Sequence, residues 1–386
     1  MRFCFFLFLL VSFHGWVAAA TPEDRLSSVF QAIEANRLDE ALQGVDALIR
    51  EHPNFRLAYL VRGDLLLARA RPLETFGNVA KTVPPEKIDG LREEALARLR
   101  ALRSRPGEDR LPRYVLQLHA EQKHVLVVDS RRSRLYVFAN HDGAPRLVAD
   151  YYVTIGKNGV EKTREGDQRT PLGVYHVTAN LPRKKLTDFY GAGAFPINYP
   201  NEWDRRQGRD GHGIWLHGVP SDVYSRPPRA SDGCIVLSNP DLESVGRHVQ
   251  VGLTPVIIAD EVEWSDAQSI AAERAALSAA VDQWRADWQS RDTERYLAHY
   301  SSRFASREGQ NFEAWAAHKR KVNSGKRWIK LGLARVAMFR YPRERDFVVV
   351  TFDQDYRSDG LSNVMRKRQY WVKEGASWKI LYEGSG

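Results

Sequence analysis

Cys234 and His217 are the residues of this sequence whose types and spacing could do covalent chemistry. The chain has 386 residues and two cysteines, Cys4 and Cys234. Cys4 lies in an apolar N-terminal run that reads as a removable export signal, so Cys234 is expected to be the one thiol of the mature protein. An exported chain with one cysteine can form no internal disulfide, which leaves that thiol free or paired with another molecule. It sits in Ser231-Asp232-Gly233-Cys234-Ile235-Val236-Leu237, downstream of His217 in Trp215-Leu216-His217-Gly218. A thiol beside glycine, with a histidine at a strand end, suggests a nucleophile and its base. The thiol is mostly protonated near neutral pH, and a histidine can take that proton and return it to a leaving amine. Gly233 would let the backbone approach a substrate carbonyl, and the amides of Gly233 and Cys234 could donate to the developing oxyanion. Two rival readings stand beside this one. Cys234 could be a small buried core residue. His212, His217, Asp232 and Cys234 could hold a metal, but His212 and His217 on one extended strand would face opposite ways, and no His-Glu-x-x-His or paired-cysteine motif is present.

The elements around the pair are legible. Gly213 to Leu216 reads as an apolar strand that ends at His217, and Gly218 opens a proline-rich loop from Val219 to Ala230, long enough to bring the chain back beside the strand end. Short apolar and alternating runs from Arg113 to about Asp260 mark a β-rich segment, with Val125–Asp129 and Arg134–Phe138 as a hairpin and Tyr151–Ile155 and Gly173–Val177 as further strands. Residues 22 to about 107 read as helices, at Leu38–Ile49, Leu57–Ala70 and about Pro85–Leu102. Ala41, Val45, Leu48 and Pro53 resemble one tetratricopeptide unit, which makes this segment either a docking module for protein partners or a spacer. From about Ser265 the chain is helical over Ala271–Trp288 and then reads as strands at Val336–Phe339, Phe347–Asp353, Arg366–Lys373 and Trp378–Tyr382, an α+β pattern. The expected division is therefore a signal over 1–20, a helical module over 21–110, a β-rich domain over 113–262 and an α+β domain over 265–386 that folds alone.

The N-terminus supplies the compartment. Met1-Arg2, the apolar run Phe3–Phe13 and the exit Ala18-Ala19-Ala20 make a secretory signal with a cut before Thr21, and the mature chain is expected to be soluble in the periplasm. No second run approaches the length of a membrane span. The net charge of +9 suits anionic envelope polymers, while no nucleic-acid motif is present.

Several runs together resemble a family. Asp129–Phe138, Thr154-Ile155-Gly156, Thr170-Pro171-Leu172-Gly173-Val174-Tyr175, Leu216-His217-Gly218 and Ser231-Asp232-Gly233-Cys234-Ile235 are similar, in order, to the YkuD-type L,D-transpeptidase domain. Gly193–Pro200 resembles the branch of peptidoglycan trimmers and enzymes that detach lipoprotein from the wall. The Trp284–Trp288 helix, Tyr296–Phe304 and Trp371 with Trp378-Lys379-Ile380 resemble the nuclear-transport-factor-2-like (SnoaL-like) fold. The first resemblance implies a mostly-β fold and cysteine acyl transfer on peptidoglycan stem peptides, with no metal or organic cofactor. It implies Cys234 as nucleophile, His217 as general base, the Gly218 carbonyl as the group orienting the imidazole, and Gly233 and Cys234 as oxyanion donors. The acyl group would pass to an amine, giving a cross-link, or to water, trimming a tetrapeptide; lipoprotein detachment is a third outcome. Two departures concern substrate grip: Asp232 stands where the family usually has His, and Val236 where it often has Arg. Arg226, Arg229, Ser231 and Asp232 are the expected substrate-binding residues, and Asp232 would also disfavour a thiolate. The reading from another class is a wall-binding scaffold with a vestigial cysteine.

Overall fold

The computed structural model describes residues 21–78, 84–107 and 109–385. Cys4 and the expected signal lie outside them. Among the described residues four helices come first, Pro22–Glu34, Leu38–Glu51, Arg56–Ala68 and Pro85–Arg103. Thr21 caps the first of them through a reciprocal box with Asp24. The stripe expected from sequence closes their core: Ala41, Val45 and Leu48 are fully buried with Leu26, Val29, Phe55 and Leu57.

Two sheets then pack face to face. The larger has the order Ala144–Tyr152, Arg134–His141, His124–Asp129, Pro255–Ala259, Gly173–His176. The smaller has the order Ile235–Val236, Trp215–His217, Gly193–Pro196, Leu181–Pro182. Leu126, Val128, Leu135 and Val137 of the first meet Phe195, Leu216 and Ile235 of the second in one apolar layer. The run expected as a strand over Tyr151–Ile155 is broken: the long strand ends at Tyr152, and Ile155–Gly156 pairs separately with Arg229–Ser231.

The last segment wraps the helix Ala267–Ser290 in a six-stranded sheet. Its strands Ile329–Arg340, Phe347–Ser358, Ser362–Glu374 and Ser377–Ser385 all run longer than their apolar stretches, because antiparallel pairing continues through polar residues. Trp284, Trp288, Tyr296 and Trp371 fill the interior. The sixth strand of that sheet is Val115–Gln117, paired with Ile329–Arg340. A second core joins Tyr114, Val127, Trp203 and Ile257 to Phe339, Phe347 and Tyr370. Residues 265–386 thus lack one edge strand and part of one core when taken alone, which departs from the expectation of an independent unit. The β-rich segment begins and ends at one place, because Leu111–Pro112 pairs with Trp264–Ser265. Among the described residues no helix is long and apolar enough to cross a membrane.

Candidate active site

The strands Trp215–His217 and Ile235–Val236 run parallel, with Leu216 opposite Ile235 and His217 opposite Val236. Side chains alternate along a strand. Leu216 and Ile235 are fully buried in the layer between the sheets, so Trp215, His217 and Val236 take the other face. Cys234, two residues before Val236, falls on that face as well. The histidine and the cysteine are thus gathered by a pairing that binary pattern alone dictates once the two strands are neighbours. His212 is not on this strand. It is exposed beside Glu165 at 3.6 Å, while His217 is 1% exposed between the rings of Phe189 and Tyr190, with centroids 5.8 and 5.1 Å away.

The imidazole has a fixed tautomer. Nδ1 lies 2.6 Å from the carbonyl oxygen of Gly218, which can only accept, so Nδ1 carries the hydrogen and Nε2 is left with a free lone pair. Burial lowers the His217 pKa to about 4; the Gly218 hydrogen bond opposes the shift and the Arg226 charge adds to it. Cys234 is half-buried, and its thiol donates to the Gly213 carbonyl at 3.3 Å. Burial pushes that thiol up to about 11, opposed by a hydrogen bond from the Trp215 backbone, aided by Asp232, and opposed again by Lys162 and Arg226. The resting site therefore holds a neutral thiol and a neutral base. Its thiol is hydrogen-bonded to backbone rather than to the imidazole.

The nucleophile turn is tied down by its own residues. Gly233 has φ +124°, and a Cβ there would come within 2.7 Å of the Arg169 carbonyl. The chain's own backbone therefore calls for glycine at this position. Its amide donates to Ser231 Oγ at 3.2 Å, and Ser231 Oγ donates to the Cys234 carbonyl at 2.6 Å. Ser231, expected to bind substrate, is spent on this turn because its hydroxyl is buried inside it. Of the two expected oxyanion donors, the Gly233 amide is engaged in the resting state, and Cys234 stands just outside the paired residues. Asp232 is exposed and pairs with Lys157 at 2.9 Å and Gln168 at 3.1 Å. Val236 is buried and bridges to Thr154 across the strand end. Arg226 acts on both Cys234 and His217, whereas Arg229 is exposed and lines a different groove with Arg100, Arg131 and Arg132.

Three residues around the site were missed by sequence reasoning. Thr170 donates to the Gly233 carbonyl at 2.9 Å and accepts the Gly156 amide at 3.0 Å; its Thr-Pro-Leu-Gly run was a marker of the family, with no role attached. Asn239 accepts the amides of Ala192 and Val219 and donates to the Val219 carbonyl, fixing the chain beyond Gly218; the Asn-Pro start of a helix was its one signal. Lys162 is buried on Asp167 at 2.8 Å, and nothing in the pattern marks it.

Comparison with known proteins agrees with this geometry. Residues 123–258 match the L,D-transpeptidase catalytic domain, and residues 276–384 match the Cds6 C-terminal NTF2-like domain. The structure of Bdellovibrio bacteriovorus Bd1075 is 31% identical over 72% of this chain and 98% of that one, with a TM-score of 0.63. The helical cell shape determining protein Pgp2 of Campylobacter jejuni is 25% identical over 71% of this chain and 95% of that one, with a TM-score of 0.61. A point mutant of the same Campylobacter protein matches at 26% over 72% and 94%, also with a TM-score of 0.61. No curated protein matches. The fold and the matched domains place the β-rich segment among L,D-transpeptidase catalytic domains. The chain belongs to the YkuD family, in the form that carries an NTF2-like domain behind the catalytic one.

Proposed function

We propose that this chain is an exported, periplasmic cysteine acyl-transferase acting on peptidoglycan stem peptides. The observation that supports it best is the shared face of two parallel strands, which presents a half-buried thiol beside an imidazole whose Nδ1 is committed to the Gly218 carbonyl. Cys234 Sγ attacks the carbonyl of the third, diamino acid residue. His217 Nε2 takes the thiol proton as the S–C bond forms, then gives it to the nitrogen of the departing D-amino acid as the C–N bond breaks. The neutral resting pair means that the proton moves with the attack rather than before it. The thioester then passes to water or to an amine; His217 removes the proton from that nucleophile and returns it to Sγ. The Cys234 amide is the available oxyanion donor, and the Gly233 amide joins it if Ser231 Oγ gives it up. Arg226 grips a substrate carboxylate. The Campylobacter relative is described as determining helical cell shape, which supports the same cellular role for trimming by this chain.

The test is incubation of the mature protein with disaccharide-tetrapeptide, followed by product masses. A tripeptide product means hydrolysis and a dimer means transfer. Unchanged substrate with amine acceptors present refutes the enzyme reading and leaves the scaffold.

A further inference from the structure

The loop that joins His217 to Cys234 is held in its middle by the N-terminal helices, not by the domain it serves. Tyr224 is 5% exposed and belongs to the core of those helices, with its ring 4.1 Å from Phe55 and 5.0 Å from His52. Its amide donates to the Asn54 carbonyl at 3.2 Å, and Asn54 Nδ2 donates to the Ser221 carbonyl at 3.1 Å. Ser225 Oγ donates to Glu94 Oε1 at 2.7 Å, and Arg98 grips the same oxygen at 3.0 and 2.8 Å. The helix Pro85–Arg103 lies so close that a Cβ on Gly90 would stand 2.7 Å from the Pro227 ring. Arg226 is between these anchors. Its carbonyl accepts from Tyr152 Oη at 2.9 Å and Thr154 Oγ1 at 3.1 Å. Its guanidinium goes the other way, over the Phe189 ring at 4.9 Å, and that ring flanks His217. The two carboxylates nearest in sequence are committed elsewhere, Asp232 to Lys157 and Asp222 to Arg56. A half-buried guanidinium beside a thiol, with no carboxylate of its own among the described residues, is an unfilled docking point for an anion.

We propose that the N-terminal helical module is a positioning element of the active site: through Tyr224 and Ser225 it locks the loop so that Arg226 is held ready for the terminal carboxylate of the substrate peptide. The proposal rests on the peptide acyl-transfer reading and deepens it, by making a free C-terminal carboxylate the recognised group and the helices part of the specificity. The physics is preorganisation. Burying an aromatic side chain among the helices favours one arrangement of the loop over those in which the ring meets water. A guanidinium on an ordered loop loses less freedom on binding than one on a free loop.

The experiment uses the full mature chain. Affinity for a stem tetrapeptide, and for the same peptide amidated at its C-terminus, is measured by calorimetry in a Cys234→Ala background; turnover is measured with Cys234 intact. Arg226→Gln is expected to weaken binding of the free-acid peptide about tenfold and to leave the amide peptide unchanged. Tyr224→Ala is expected to do the same, with kcat within about twofold, and Tyr224→Ala with Arg226→Gln to be no worse than Arg226→Gln alone. Ser225→Ala, which leaves the aromatic packing intact, should weaken free-acid binding a few-fold through the same dependence on Arg226, and it serves if Tyr224→Ala does not fold. Unchanged affinity in Ser225→Ala and Tyr224→Ala, effects that multiply in the double variant, or equal losses for the amide peptide overturn the proposal. Absent turnover with Arg226-dependent binding would instead overturn the enzyme reading and leave the clamp standing.

Discussion

Two buried polar regions of this molecule meet the same loop and are built on opposite terms. Around Arg98, each buried carboxylate has a guanidinium partner, although at Glu94 burial still outweighs that pairing and raises the pKa. The Arg98 guanidinium holds Glu94 and Glu23 and lies over the Tyr152 ring at 4.0 Å, while Arg134 holds Glu23 and Asp150. Burial works to raise the Glu23 pKa, and Arg98 with Arg134 outweighs it, so that Glu23 lies low. Around Cys234 and His217, burial is not answered: the thiol is pushed up and the imidazole down, and Arg226 waits without a carboxylate. The lesson is that burial alone does not mark a functional site. What marks it is a set of polar groups whose partners are missing from the chain and can be supplied by a substrate.

The largest test of that contrast is on the unanswered side. Cys234→Ala should abolish turnover and His217→Ala should reduce it by more than about a thousandfold, each with a thermal midpoint near that of the parent, because these groups serve reaction and not fold. Turnover in Cys234→Ala near the parental rate would break the contrast at once. On the answered side, Arg98→Met should cost about 3–5 kcal/mol in urea unfolding, because it strands the buried Glu94 and leaves Glu23 with Arg134 alone. A loss below about 1 kcal/mol would show that the network is not tightly coupled.

The pH dependence joins the two. A base with a pKa of about 4 is neutral through the physiological range, so kcat/KM should be flat near pH 7 and fall only as pH drops toward 4, where Nε2 gains a proton. The stability sign follows from the same shift. The His217 pKa in the folded chain is below that of the unfolded chain, so the unfolded state binds the proton first. The contribution is present above about 6.5 and lost as pH falls, reaching on the order of 3 kcal/mol by pH 4. Urea unfolding of the parent and of His217→Gln, matched near pH 7, should therefore diverge as pH falls to about 4.5, the parent losing stability relative to the variant. The smallest effect is expected for Asp232→Asn. Removing that exposed charge should move the thiol pKa down by a few tenths of a unit, read as a shift in the pH profile of alkylation by iodoacetamide.

Much of this was legible in the sequence, for identifiable reasons. His217, Gly218 and Cys234 stand in short runs whose order matches a known domain, and the strand that places them is apolar and brief. The helical segment, the β-rich segment and the late α+β segment each announce themselves by period. What was not legible is what the pieces do to one another. Tyr224 looks like a loop aromatic until the helices that bury it are seen, and Glu94 with Arg98 reads as an ordinary exposed i,i+4 pair. Val115–Gln117 is three residues long, and its partner is Ile329–Arg340, far along the chain, so no local pattern assigns it to the C-terminal sheet. Ser231 and Gly233 stand in the run that marks the site, but their hydrogen-bonding duties in the turn depend on coordinates that a one-dimensional pattern does not hold.

The clasp between Leu111–Pro112 and Trp264–Ser265 has a practical meaning for anyone rebuilding this protein. The β-rich segment leaves and returns through adjoining stems, so a homologous segment from a relative could be grafted at those two stems provided that it also supplies the edge strand and the core face that Val115–Gln117, Tyr114 and Trp203 give the C-terminal sheet. Such a chimera would inherit the donor's chemistry. It would keep this chain's helices, and with them whatever grip they exert on the donor's version of the loop.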